Sequence, residues 1–299
     1  YRVNLDGSEL VLLTPEASQH DIIKRTPIAS EIDGLTPIAA DVCGISPNGK
    51  VFIETQSRVD QPARTLLRST VDGAELMTLS QCDVTPLTKT PFITPQVFTA
   101  KAADGTTDLW GVLYRPSDFD KSKSDAVILA IYATPATCTT SKRFAEIKTG
   151  HPYFTLAELG FIVVILDPRG TPLRSKAFHD EAYGNLQNGG GIDDQVAAIK
   201  QLGERHTWMD LDRVGVTGHS GGGFASARAI LSHPEFFKVA VSSSGNHDQR
   251  TYVAGWGETF QGLVKGDNYT AQASVSLAKN LKGKLLLVHG DMDDNVHIA

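Results

Sequence analysis

The sequence predicts two units of different class: an antiparallel all-β segment over residues 1–92, then an α/β domain over 93–299 built on a mostly parallel, doubly wound sheet. Three observations carry this. Up to about residue 92, apolar and polar positions alternate between Asp-Gly and Asn-Gly dipeptides, the pattern of half-buried strands joined by tight turns. Beyond the Thr/Pro-rich stretch TPLTKTPFITP (85–95), wholly apolar runs such as AVILAIYA (126–133) and FIVVIL (161–166) alternate with helical periodicity. In GVTGHSGGGFA (215–225), one serine sits among glycines, after a β-branched run and before Ala-rich sequence.

The first segment contains three candidate hairpins: YRVNL-DG-SELVLLT, ISP-NG-KVFIETQS and TLLRSTV-DG-AELMTLS. Asp-Gly and Asn-Gly tolerate positive φ, so each is expected to close in a type I′ turn. LDGSEL (5–10) recurs as VDGAEL (71–76), which is compatible with the last blades of a β-propeller and equally with two hairpins that share a turn. In the second segment strands are expected at 96–101, 108–114, 126–132, 161–166, 213–217, 238–243 and 284–289. Ile192, Val196, Ile199 and Leu202 recur at helical spacing and mark a helix over 191–204. In such sheets, chemistry gathers at the carboxyl ends of the strands.

The formal charge of −6 without any Lys/Arg block gives no footprint for nucleic acid or for an anionic membrane surface. The apolar runs fall far short of the roughly 20 residues of a membrane helix. Three widely spaced cysteines, Cys43, Cys82 and Cys138, make neither a disulfide framework nor a metal pattern. No cofactor or metal is expected. Asn268-Tyr269-Thr270 is a glycosylation sequon of a kind that arises often by chance.

The serine stretch reads as strand (213–217), turn and helix (224–231), so Gly218-His219-Ser220-Gly221-Gly222 is G-x-S-x-G in the context that exposes a nucleophile. The elbow lifts the Ser220 hydroxyl above the sheet in a strained backbone conformation, and the helix start presents N–H groups to developing negative charge. A phosphate loop is the rival for a Gly-rich turn, but its Lys-Ser/Thr pair is absent. Such a serine requires a base and a carboxylate, in chain order Ser, Asp, His. KLLLVH runs into Gly290-Asp291-Met292-Asp293-Asp294-Asn295-Val296-His297, three carboxylates at the end of a strand. A calcium loop would need a glycine where Val296 stands, and a later Glu.

With GHSGGG, HGDMDDNVH, IYATP (131–135) and LDPRG (166–170), the chain resembles the prolyl oligopeptidase family of serine peptidases, most closely its dipeptidyl-peptidase branch. The resemblance implies the end of a propeller over 1–92 and an α/β-hydrolase domain over 93–299. It makes Ser220 the nucleophile and Asp293 the triad aspartate, with Asp294 as fallback. It pairs the Tyr132 hydroxyl with the Gly221 N–H in an oxyanion hole. Tyr252 and Trp256 fall around a pocket for a small, often proline, side chain, with Val296 beside Asn295, which holds a substrate carbonyl. Tyr132 is alternatively a core-edge aromatic, Tyr252 and Trp256 one hydrophobic helix face, and Arg169 a loop anchor that never meets substrate. Short peptides are the implied substrates, and a homodimer of the full-length protein and a secreted or periplasmic setting go with the family.

Two departures follow from the same resemblance. The family's catalytic histidine comes later than residue 299; His219 points away from the nucleophile, and His289 and His297 are too close to Asp293 to reach Ser220. Starting in mid-strand without Met and stopping after the Asp293 loop, the chain reads as a fragment, expected to be nearly inactive alone. The glutamates that anchor a free amino terminus lie upstream, so exopeptidase action is not legible here. An esterase or acylaminoacyl hydrolase on the same fold, and a non-catalytic homologue, stay open.

Overall fold

The computed structural model describes residues 1–22, 44–132, 135–144, 152–188 and 190–298. Cys43, His151, Ala299, and Ala133 and Thr134 of the IYATP stretch, lie outside them. The chain divides into two compact units, Tyr1–Phe92 with Ser141–Glu146, and Ile93–Thr140 with Ile147–Ala299.

The first unit carries a four-stranded antiparallel sheet in sequence order: β1 (Gln19–Ile22), β2 (Val51–Arg58), β3 (Gln61–Ser69) and β4 (Glu75–Gln81). The third expected hairpin is the β3–β4 pair. The first two shrink to isolated antiparallel bridges, Arg2 with Val11 and Ile45 with Phe52. The type I′ expectation needs correction. That turn requires positive φ at both central residues, but only Gly7, Gly49 and Gly73 have it, while Asp6, Asn48 and Asp72 do not. Their side chains explain why. Asp6 Oδ1 accepts from the Ser8 N–H (2.9 Å), Asn48 Oδ1 from Lys50 (3.1 Å) and Asp72 Oδ1 from Ala74 (3.1 Å), closures that hold the Asx residue at negative φ.

Within this sheet Arg68 of β3 and Glu54 of β2 are both buried and paired, with Nε to Oε1 at 2.5 Å. Arg68 also donates to Glu16 (2.7 Å) and to the Gly73 carbonyl (2.9 Å), and a His20 ring nitrogen meets Glu54 at 3.0 Å. Three strands and a turn are thereby tied through charges that are costly to bury unpaired.

The second unit is built on seven strands: β5 (Gln96–Lys101), β6 (Asp108–Tyr114), β7 (Asp125–Ala130), β8 (Ile162–Asp167), β9 (Met209–His219), β10 (Phe237–Ser243) and β11 (Lys284–Val288). Their order is β11-β10-β9-β7-β8-β6-β5. From β11 to β8 neighbours run parallel; β6 is antiparallel to both β8 and β5. Every residue of β8 is buried, as an interior parallel-type strand requires. Helices α1 (Tyr153–Glu158), α2 (Lys176–Asp180), α3 (Ile192–Arg205), α4 (Gly221–Ser232), α5 (Ala254–Gln261) and α6 (Asn268–Gln272) complete the unit. α4 packs on β9 and β10, and α3 on β5 and β9. Ile192, Val196, Ile199 and Leu202 all enter the core.

β5 and β6 have the expected bounds, and the other five strands depart from expectation at one or both ends by one or a few residues. The strand expected over 126–132 stops at Ala130, because the next carbonyl, that of Ile131, turns against the Gly-rich elbow. The strand expected over 213–217 extends to Met209–His219. Leu286, Leu287 and Val288 on β11 are exposed. Among the described residues, no helix is long and apolar enough to cross a membrane. Asn268 of the sequon is structurally committed: its Nδ2 donates to the Leu263 carbonyl (3.1 Å) and its Oδ1 accepts from the Lys265 N–H (3.0 Å).

Candidate active site

Four neighbouring parallel strands, β7, β9, β10 and β11, end at one edge of the sheet, and the candidate residues follow those ends. Ser220 sits between β9 and α4 with φ 57° and ψ −120°. A non-glycine residue at such angles is strained by about 1–3 kcal/mol and persists only where its surroundings hold it. The hold is visible: the Ser220 N–H donates to the Ser243 carbonyl on β10 (2.8 Å), and its carbonyl accepts from Phe224 in the first turn of α4 (3.1 Å).

The glycines on either side follow from crowding against β7. A Cβ on Gly218 would lie 2.4 Å from the Ile131 carbonyl oxygen, and one on Gly222 2.3 Å from the same atom. Since the obstacle is backbone, Gly222→Ala is expected to destabilise by about 1–3 kcal/mol and to displace Tyr132, whose Cα is 3.3 Å from the same added atom. A lowered denaturation midpoint at unchanged slope is the readout; an unchanged midpoint would contradict this packing.

Ser220 opens onto a cavity of about 160 Å³ that Tyr132, Gly221, Tyr252, Trp256, Asn295 and Val296 also line. The structure therefore brings together all but one of the expected site residues. Gly221 begins α4, and its N–H meets no acceptor among the described residues, which leaves it free for an incoming oxyanion. Tyr252 precedes α5 rather than sharing a helix face with Trp256. The two rings meet edge-on at 6.4 Å, and Trp256 in turn contacts Phe260 at 4.7 Å. The Tyr252 hydroxyl donates to Asn295 Oδ1 (3.0 Å), which fixes the amide so that Nδ2 is the group left to donate.

Asp293 is the residue that does not line this cavity. Its Oδ1 accepts from the N–H groups of Val296 (2.8 Å) and Asn295 (3.1 Å). Those bonds, Val296 first, hold its carboxyl below the usual carboxylate range, so it is ionised at neutral pH. Asp294 is exposed and makes no comparable bond. Oδ2 of Asp293 lies 3.5 Å from His289 Nε2, which donates to the Val296 carbonyl (2.6 Å). No described histidine hydrogen-bonds the Ser220 hydroxyl. His219 turns to Ser243 Oγ (3.1 Å), and His247, which burial keeps neutral, turns to Ser242 Oγ (3.4 Å). Arg169 is outside the cavity; its guanidinium grips Asp194 at 2.8 Å and Asp104 at 3.1 Å, the loop-anchor alternative.

Reading the sequence missed three neighbours. Ser244, with φ 47°, donates its N–H to the carbonyl of Val288 (2.8 Å), at the end of the strand that leads into the Asp293 loop. Asn246 and Gln249, which follow β10, line the cavity. Their position at a strand's carboxyl end was the available signal; which way they turn was not.

The chain matches the prolyl oligopeptidase family over residues 148–299. It is 33% identical over 213 residues to human dipeptidyl peptidase 8, an alignment that covers 69% of this chain and 23% of the relative. A crystal structure from Bacteroides ovatus, assigned as a dipeptidyl aminopeptidase IV, has a TM-score of 0.76 and 31% identity, covering 85% of this chain and 36% of that one. Dipeptidyl peptidase 4 of Porphyromonas gingivalis shares the fold, with TM-score 0.75, 24% identity and coverage of 95% and 37%. The chain thus spans about a quarter of the length of its curated relatives.

Proposed function

Because the chain belongs to the prolyl oligopeptidase family, we propose that it is the catalytic portion of a serine peptidase of the dipeptidyl-peptidase kind, acting on short peptides through an acyl-enzyme on Ser220. The observation that carries this reading is the strained Ser220 elbow facing the cavity, beside an uncommitted Gly221 N–H. The fold, an α/β-hydrolase domain preceded by propeller strands, agrees with it.

The chemistry runs as follows. The Ser220 oxygen adds to the scissile carbonyl as its proton passes to a histidine base, the role expected from the family. The oxyanion is held by the Gly221 N–H and the Tyr132 hydroxyl. The base, now cationic, returns the proton to the departing amine, and water repeats the sequence to release the acyl group. Asp293 stays ionised to orient and stabilise that base. Asn295 Nδ2, aligned by Tyr252, donates to a substrate carbonyl. A cavity of about 160 Å³ sizes the residue before the scissile bond as small, and proline fits by volume.

Dipeptidyl anilides with a free amino terminus, their N-acetylated counterparts and the matching esters, assayed on the full-length protein, test this reading. The free-amino anilides are expected to exceed the acetylated ones in kcat/KM by about tenfold or more, the worth of a charge-assisted hydrogen bond. Hydrolysis of esters alone would replace the peptidase reading with an esterase.

A further inference from the structure

We infer that the amide pair Asn246–Gln249 lining the Ser220 cavity makes the enzyme select a small residue with a hydroxyl or carboxamide side chain, such as threonine, serine or asparagine, immediately before the scissile bond. The inference rests on the peptidase reading above and names its substrate class.

Asn246 Nδ2 donates to Gln249 Oε1 at 2.8 Å, and both residues line the cavity. Gln249 is only 5% exposed. That single bond uses one donor and one acceptor, and leaves Gln249 Nε2 and Asn246 Oδ1 without partners among the described residues. Exchanging N and O in both amides leaves the same complement, one donating and one accepting group, so the conclusion does not depend on how the amides are turned. A hydroxyl or a carboxamide, which both donates and accepts, satisfies both groups at once.

Leu186, Phe224 and Val296, each buried, give the cavity an apolar lining beside the polar groups of Tyr132, Ser220, Tyr252 and Asn295. A threonine side chain matches this division, with its methyl toward the apolar wall and its hydroxyl toward the amides. Valine has the same shape without the hydroxyl, and seating it would strip water from two amide groups and replace it with nothing. Sites that hydrogen-bond a substrate group reject the analogue that lacks it far more strongly than apolar pockets reject an added methylene.

The test compares kcat/KM for two dipeptidyl anilides that differ only in threonine or valine before the anilide, on the full-length protein and on its Asn246→Leu/Gln249→Met variant. The parent is expected to prefer threonine by about tenfold to a hundredfold, the cost of leaving buried polar groups unpaired, and the variant to lose that preference. A parent ratio near or below one overturns the inference while leaving the peptidase reading intact; it would mean that a water held between the amides satisfies them. A preference that survives in the variant also overturns it. The parent ratio decides the matter even if the variant fails to fold. If neither substrate is cleaved in a Ser220-dependent way, the peptidase reading falls and this inference falls with it.

Discussion

Ser220→Ala in the full-length protein is expected to lower kcat for peptide hydrolysis by a factor on the order of 10⁶, while leaving the fold and the thermal midpoint unchanged. The first part follows from removing the attacking oxygen, which leaves only the oxyanion hole and binding, on the order of 10³ to 10⁴-fold over water. The second follows from the backbone. Alanine keeps the Cβ that serine already carries at φ 57°, and the bonds that hold the elbow use the Ser220 N–H and carbonyl rather than the hydroxyl. A variant that retained most of its activity would remove Ser220 from the chemistry.

Asp293→Asn is expected to cost about 10⁴ in kcat with little change in KM, because the change removes the charge that stabilises the cationic base and spares the cavity. The two backbone N–H bonds to Oδ1 can persist to an asparagine carbonyl, so the loop should hold. The pH dependence has a defined sign. A carboxyl whose folded pKa is depressed adds stability that is fully present above its unfolded value and is lost as pH falls through the folded one. For Asp293 that window lies at and below the ordinary carboxylate range. Any fall in activity between neutral pH and that range therefore belongs to another group. An acid limb near neutrality that Asp293→Asn abolished would contradict this assignment. So would an equal loss on His289→Gln, which would make the ring beside Asp293 the base.

What was legible in the sequence and what was not divides along physical lines. The elbow could be read because strand, tight turn and helix start each leave local marks, and a serine that must stand at positive φ between close-packed backbones needs glycines at Gly218 and Gly222. The α3 face could be read because burial at Ile192, Val196, Ile199 and Leu202 imposes a helical period. The turn types could not: Asp-Gly is compatible with two geometries, and the Asp6 and Asp72 side chains tip the balance by bonding their own backbone. The end of β7 was misplaced because the carbonyl of Ile131 packs against a segment more than eighty residues away in the chain. Tyr252, Trp256, Asn295 and Val296 were named only through family resemblance. No periodicity constrains the loops that bring them to one cavity, and for the same reason Asn246, Gln249 and Ser244 escaped notice.

The most direct test of the central claim is to trap the acyl-enzyme analogue. The full-length protein would be treated with a dipeptidyl phosphonate diester, which phosphonylates an activated serine, and the adduct located by peptide mass spectrometry. The account predicts one adduct per chain, on Ser220 in the peptide spanning Val216 to Phe224, and none in Ser220→Ala. An adduct on Ser243 or Ser244, or labelling of the parent and Ser220→Ala to the same extent, would contradict it.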